Sequence, residues 1–136
     1  MKIQFSETEC NTLHDLDVEA VYLFGSRALD TSGPLSDYDF GVLMNQKNNK
    51  RGGEVYDQIY DLLSPHCPRT LENDVIDIVF LSDAPLELRM HVVKYGQPIF
   101  DGNPKARADF EAKTMLEYAD FRPLLDMIDR NILASL

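Results

Sequence analysis

Three short runs of β-forming apolar residues set the shape of this chain: residues 19–24 (EAVYLF), 38–44 (YDFGVLM) and 74–81 (DVIDIVFL). Runs of this length bounded by turn residues read as buried strands, and none approaches the roughly 18–20 residues of a bilayer span. Helical signals alternate with them, and there is no internal repeat. Ser6 followed by Glu9 is a capping-box pattern, which predicts a first helix over residues 6–16. Val55, Ile59, Leu62 and Leu63 share one stripe of a helix over 54–63. Ser82 or Asp83, with Pro85 in the first turn, predicts a helix that Gly96 and then Pro98 stop. Residues 98–100 read as an edge strand. Residues 104–133 read as helix, interrupted near Pro123, with Phe110, Met115, Leu125, Ile128 and Ile132 facing inward. A helix turn from Ser26, a polar loop around 32–34, and loops at 45–53 and 64–73 complete the chain. The expected fold class is α/β (α+β): a small mixed sheet flanked by helices.

Composition narrows what such a domain does. With 136 residues, of which 44% are hydrophobic, the expectation is one domain spanning 1–136 with a core that needs neither disulfide nor metal. Lys plus Arg number 13 and Asp plus Glu 23, a net charge of −10. That balance excludes a basic surface for coating nucleic acid, and it suits divalent cations or a basic partner. The first residues, MKIQFSETEC, lack the layout of a signal peptide. Two thiols, Cys10 and Cys67, are expected reduced. The expectation is a cytoplasmic protein with no membrane segment.

The chemistry-bearing residues cluster around the strands. Asp37 and Asp39 flank Tyr38, and side chains two apart in a strand share a face with Cα atoms roughly 6.5–7 Å apart. Like charges so placed repel unless a cation lies between them. Asp77 is the one polar residue inside an otherwise apolar run, where an isolated buried carboxylate is expensive. If its strand neighbours the second, three carboxylates converge as hard oxygen ligands suited to Mg²⁺. Asp37 alone reads as a turn cap; the set of three is harder to explain structurally. Gly25-Ser26-Arg27 follows directly on the first strand, and a strand-to-helix turn with Gly and Ser presents backbone N–H groups to an anion. Gly-Ser alone is a common turn. Lys47, Lys50 and Arg51 form a basic loop cluster, and Arg69 follows Cys67 and Pro68. Neither group is assigned a nucleotide contact. His14, His66 and His91 make no metal spacing.

Spacing raises the signal. In GSRALDTSGPLSDYD, ten residues separate Gly25-Ser26 from Asp37, and Asp39 follows two later; chance recurrence is on the order of one in a thousand. The pattern resembles the nucleotidyltransferase fold of the DNA polymerase β superfamily. It is most similar to the minimal nucleotidyltransferase (MNT) branch, whose hallmark is Gly-Ser, ten residues, then Asp-x-Asp. Residues 77–100 resemble that family's third-carboxylate strand, following helix and closing hairpin, although Phe80 stands where the family often has an acid. The similarity covers about residues 17–102, with 104–133 a helical extension.

By that resemblance, Gly25 and Ser26 hold the triphosphate, with Arg27 beside them as a further nucleotide-binding charge, and Asp37 and Asp39 hold Mg²⁺. Asp77 is the third catalytic carboxylate, a metal ligand or a general base for the incoming hydroxyl. It implies transfer of AMP from ATP to an acceptor hydroxyl. Stand-alone MNT proteins of this size resemble antitoxins that add AMP to a tyrosine of a HEPN-domain ribonuclease toxin and silence it. No direct nucleic acid partner is expected. Two alternatives stay open: an antitoxin that blocks its toxin sterically, and a small-molecule nucleotidyltransferase of the aminoglycoside-modifying kind.

Overall fold

The computed structural model describes residues 3–25, 38–45, 53–67 and 76–134, with backbone alone from 121 onward. The turn from Ser26, the loop around 32–34 and most of the loops at 45–53 and 64–73 lie outside the described residues.

Helix α1 spans Glu7–Asp15, and its capping box forms as the sequence predicts. The Glu9 backbone N–H donates to the Ser6 hydroxyl, while the Ser6 N–H donates to the Glu9 carboxylate at 2.9 Å. Strand β1 (Val18–Phe24) follows, then β2 (Tyr38–Met44), α2 (Gly53–Leu63), β3 (Ile76–Phe80), α3 (Leu86–Tyr95), β4 (Gln97–Asp101) and α4 (Pro104–Ala134). The four strands lie in the order β3-β2-β1-β4. β1 is antiparallel to both β2 and β4, and β2 is parallel to β3, so the sheet is mixed.

Alternation along β1 and β2 divides the core in two. Val21, Leu23, Phe40, Val42, Ile76 and Ile78 join Leu13 of α1 and Ile59 and Leu63 of α2 on one face. Ala20, Tyr22, Phe24 and Leu43 join Leu81, Val92 of α3 and Phe110 of α4 on the other. Because both faces of β1 and β2 are covered, their runs read as nearly continuous apolar sequence.

Three expectations need correction. Helix α3 begins at Leu86 with Pro85 at its N-cap position, rather than Ser82 or Asp83, and a 3₁₀ turn at Leu81–Asp83 precedes it. The residue before a proline is driven to extended backbone, and Ala84 (ψ 149°) obeys, which bars an earlier start. Helix α4 runs without a break through Pro123, whose missing N–H removes one ladder bond without ending the helix. Met115 is 46% exposed, against the expected inward position. The inward stripe of α4 is set by Phe110 beneath Tyr22 and by Thr114, which is fully buried, so Met115 lies off it. The side chains of Leu125, Ile128 and Ile132 are outside the described residues.

Candidate active site

The end of β1 and the start of β2 lie together at one end of the two central strands. Phe24 pairs with Asp39, and Asp39 pairs with Asp77. Ladder partners point to the same face, so Phe24, Asp39 and Asp77 make one row across three strands, on the side of α3 and α4. The row behind is Tyr22, Gly41 and Val79. Gly41 has no side chain there because Leu81 occupies the space: a Cβ on Gly41 would come within 2.9 Å of Leu81 Cδ2. The carboxylates therefore stand in front of an apolar wall.

Asp39 is half-buried, and Asp77 is exposed. The sequence reading of Asp77 as a buried carboxylate is thus corrected. Among the described residues its strand is an edge of the sheet, and this position is exposed. The expected neighbourhood of β3 and β2 is present, and it brings Asp39 and Asp77 side by side. Beside them the chain leaves β1 at Gly25 with φ +76°, a left-handed conformation that L side chains rarely adopt. A Cβ on Gly25 would collide with the Asp39 carboxylate oxygen Oδ2. Gly25 and the Asp39 carboxylate thus lie against each other, with no room for a side chain between them.

Ser26, Arg27 and Asp37, like Lys47, Lys50, Arg51 and Arg69, lie outside the described residues. No group of three His, Cys, Asp or Glu positioned for a metal ion occurs among the described residues. The two carboxylates that are described fit Mg²⁺ by chemistry: hard oxygen donors in one row, open on one side to water.

The scattered histidines each have a partner. His66 Nε2 meets the Glu9 carboxylate at 2.7 Å, and the His14 ring packs on Phe100. His91 lies edge-on to Phe24 at 6.2 Å, and on its far side meets Tyr95 at 5.1 Å. That last arrangement borders the carboxylate row and escaped the sequence reading; the signal for it was the four-residue spacing of His91 and Tyr95 on one helix. Cys10 and Cys67 are both free thiols. No helix among the described residues is long and apolar enough to cross a membrane.

A family model described as polymerase beta, nucleotidyltransferase matches residues 10–105. Among solved structures, the chain resembles a toxin–antitoxin crystallised with AMP-PNP at 22% identity and a TM-score of 0.65, covering 95% of this chain and 99% of that one. It also resembles one chain of the structure described as tri-AMPylated Shewanella oneidensis HEPN toxin in complex with MNT antitoxin, at 19% identity and a TM-score of 0.60, covering 93% of this chain and 98% of that one. A structure of the toxin–antitoxin MntA–HepT matches at 20% identity and a TM-score of 0.57, covering 94% and 99%. At these identities the likeness is one of fold. No curated protein matches the chain.

Proposed function

Because the chain belongs to the polymerase beta nucleotidyltransferase family, we propose that it is an antitoxin that transfers AMP from ATP, with Mg²⁺, to a tyrosine of a HEPN ribonuclease toxin. The observation that carries this reading is the row of Asp39 and Asp77 beside the left-handed Gly25 turn. A turn suited to phosphate beside acidic oxygens supports the reading, since nucleotidyl transfer requires both together. The one-domain reading of residues 1–136 and a cytoplasmic location go with it.

In this reading Gly25, Ser26 and Arg27 hold the triphosphate through backbone N–H groups, a hydroxyl and a guanidinium. Asp37, Asp39 and Asp77 would hold Mg²⁺, which when bound supplies neutralising charge for the phosphates. The toxin's phenol oxygen bonds to the α-phosphorus as the bond to the β-phosphate oxygen breaks, and pyrophosphate leaves. The exposed Asp77 carboxylate takes the phenolic proton and passes it to water. A phenol, with a pKa near 10, needs little activation compared with an aliphatic alcohol.

Two further facts support the partner. The net charge of −10 suits docking on a protein that handles RNA through a basic surface. The solved structures of similar fold include MNT antitoxin in complex with a HEPN toxin carrying AMP groups. AMP beside a ribonuclease site puts negative phosphate where RNA phosphate must lie. The test is to co-express the toxin with the wild-type chain or with Asp39→Asn and weigh the toxin intact. Adducts only with wild type are expected. Equal silencing by both chains without any adduct would leave steric blocking as the function.

A further inference from the structure

On the nucleotidyl-transfer reading above, the face of α3 that borders the carboxylate row lies where a bound nucleotide would extend. Phe24 is the last residue of β1, immediately before Gly25, and the ladder partner of Asp39, a Cα separation of about 5 Å. Phe24 is 7% exposed and clusters with Leu81 and with Val92 of α3. His91 of α3 lies edge-on to its ring at 6.2 Å, and Tyr95 continues the surface one helical turn further at 5.1 Å from His91. Lys94 sets its ammonium 5.2 Å from the Tyr95 ring centre.

His91 is exposed and Tyr95 is 44% exposed, so the outer ring is not spent on sealing the core. Few large apolar side chains on the described surface are as exposed as Tyr95, and this one stands at the edge of the site rather than on a remote helix face. Two open aromatic rings inclined at 50° to each other, accompanied by a cation and reached from the phosphate turn through a single side chain, offer π-faces on which a base can stack.

We infer that His91 and Tyr95 form the platform on which the base of the bound nucleotide stacks while its phosphates occupy the Gly25 turn. A nucleotide held by its phosphates at one end of β1 must project its base over a neighbouring surface, and α3 supplies the aromatic one. Stacking selects a π-face rather than a hydrogen-bond pattern, so the platform contributes affinity to any base.

The experiment measures binding to the full chain with Mg²⁺ by calorimetry, using two probes: ATP, and inorganic tripolyphosphate as its baseless counterpart. Tyr95→Ala and His91→Ala are each expected to weaken ATP by about tenfold and leave tripolyphosphate unchanged. Tyr95→Phe, which keeps the ring, is expected to restore ATP binding. Circular dichroism verifies that each variant is folded, as the exposure of both side chains leads us to expect. Wild-type ATP affinity in both alanine variants overturns the platform alone, as does an equal loss of both probes. Unchanged ATP binding with a raised KM for the acceptor protein also overturns it and assigns the rings to the acceptor. A wild-type chain that binds neither probe overturns the platform together with the functional reading beneath it.

Discussion

The Asp39 carboxylate occupies the space that a side chain at Gly25 would need, and Gly25 adopts a φ of +76° that disfavours such a side chain in any case. The turn that ends β1 and the acid that opens the site on β2 are therefore fitted to each other. A single strand pairing, Phe24 with Asp39, brings the turn and the carboxylate to one place.

Gly25→Ala tests this fit. The backbone conformation alone costs an alanine about 1–2 kcal/mol, and the contact with Asp39 adds to that. We expect a lower melting temperature and loss of nucleotide transfer. Removing the obstructing carboxylate in Gly25→Ala/Asp39→Ala should recover part of the stability and none of the activity. Two residues in contact are expected to be non-additive in this way. Strictly additive melting shifts would show that the two side chains do not compete for one space.

Asp77→Asn probes the repulsion across β2 and β3. Like charges directly opposite in a ladder are unfavourable by a fraction of a kcal/mol to about 1 kcal/mol, and Asp39 pairs with Asp77 in register. Without metal, the variant should melt at or slightly above the wild-type temperature. Added Mg²⁺ should stabilise wild type more than the variant, since a ligand that binds the native state raises its melting point. Thermal scans with and without the ion decide it, and transfer activity should fall in the variant. A variant melting far below wild type would assign Asp77 a structural role.

Much of this arrangement was legible in the sequence because local chemistry and tertiary position agreed. The boundaries of β2, the capping box at Ser6 and the stop at Gly96 follow from an apolar run between turn residues, a hydroxyl and a glycine, all of which act locally. The exposure of Asp77 did not, because an apolar run says nothing about whether its strand lies at the edge of the sheet. Met115 was misplaced for a similar reason: many apolar positions on a long helix fit several stripes. Which stripe is used depends on a distant strand residue, Tyr22, against which Phe110 and Glu111 pack. His91 looked like one of three unrelated histidines until α3 set it against Phe24.

Glu9 gives the protein a defined acid sensitivity. Burial by itself would raise its carboxyl, but the Ser6 backbone N–H, and then His66, outweigh that and hold it below the ordinary 4.5. A depressed carboxyl contributes stability that is complete above its unfolded value and lost as pH falls through the folded one. The melting temperature of wild type should therefore drop more steeply than that of Glu9→Gln between about pH 5 and pH 3. The other carboxylates titrate in both proteins, so the difference between the curves isolates Glu9. Parallel curves would show that the pair at 2.7 Å contributes no net stability.

Tyr22→Phe separates the scaffold from the site. The Tyr22 hydroxyl, on a side chain 1% exposed, donates to Glu111 at 2.8 Å. Glu111 also accepts from Arg107 at 3.2 Å, and Arg107 pairs with Asp101 of β4 at 3.1 Å. This chain of contacts pins α4 to β1 and β4. Burial first, and then the Glu111 carboxylate, push the Tyr22 hydroxyl well above its ordinary range, so it stays a donor at any working pH. Deleting it removes one hydrogen bond to a charged group, a cost of about 1–2 kcal/mol, while Glu111 keeps Arg107 as a partner. The sign of the pH dependence follows from the raised value: the contribution holds below about pH 10 and fades above it, where the unfolded tyrosine ionises and the folded one does not. Tyr22 stands one row behind Asp39, so transfer per folded molecule should be unchanged while the melting point falls by a few degrees. A loss of activity exceeding the loss of stability would show that the Tyr22–Glu111 contact also positions the carboxylate row.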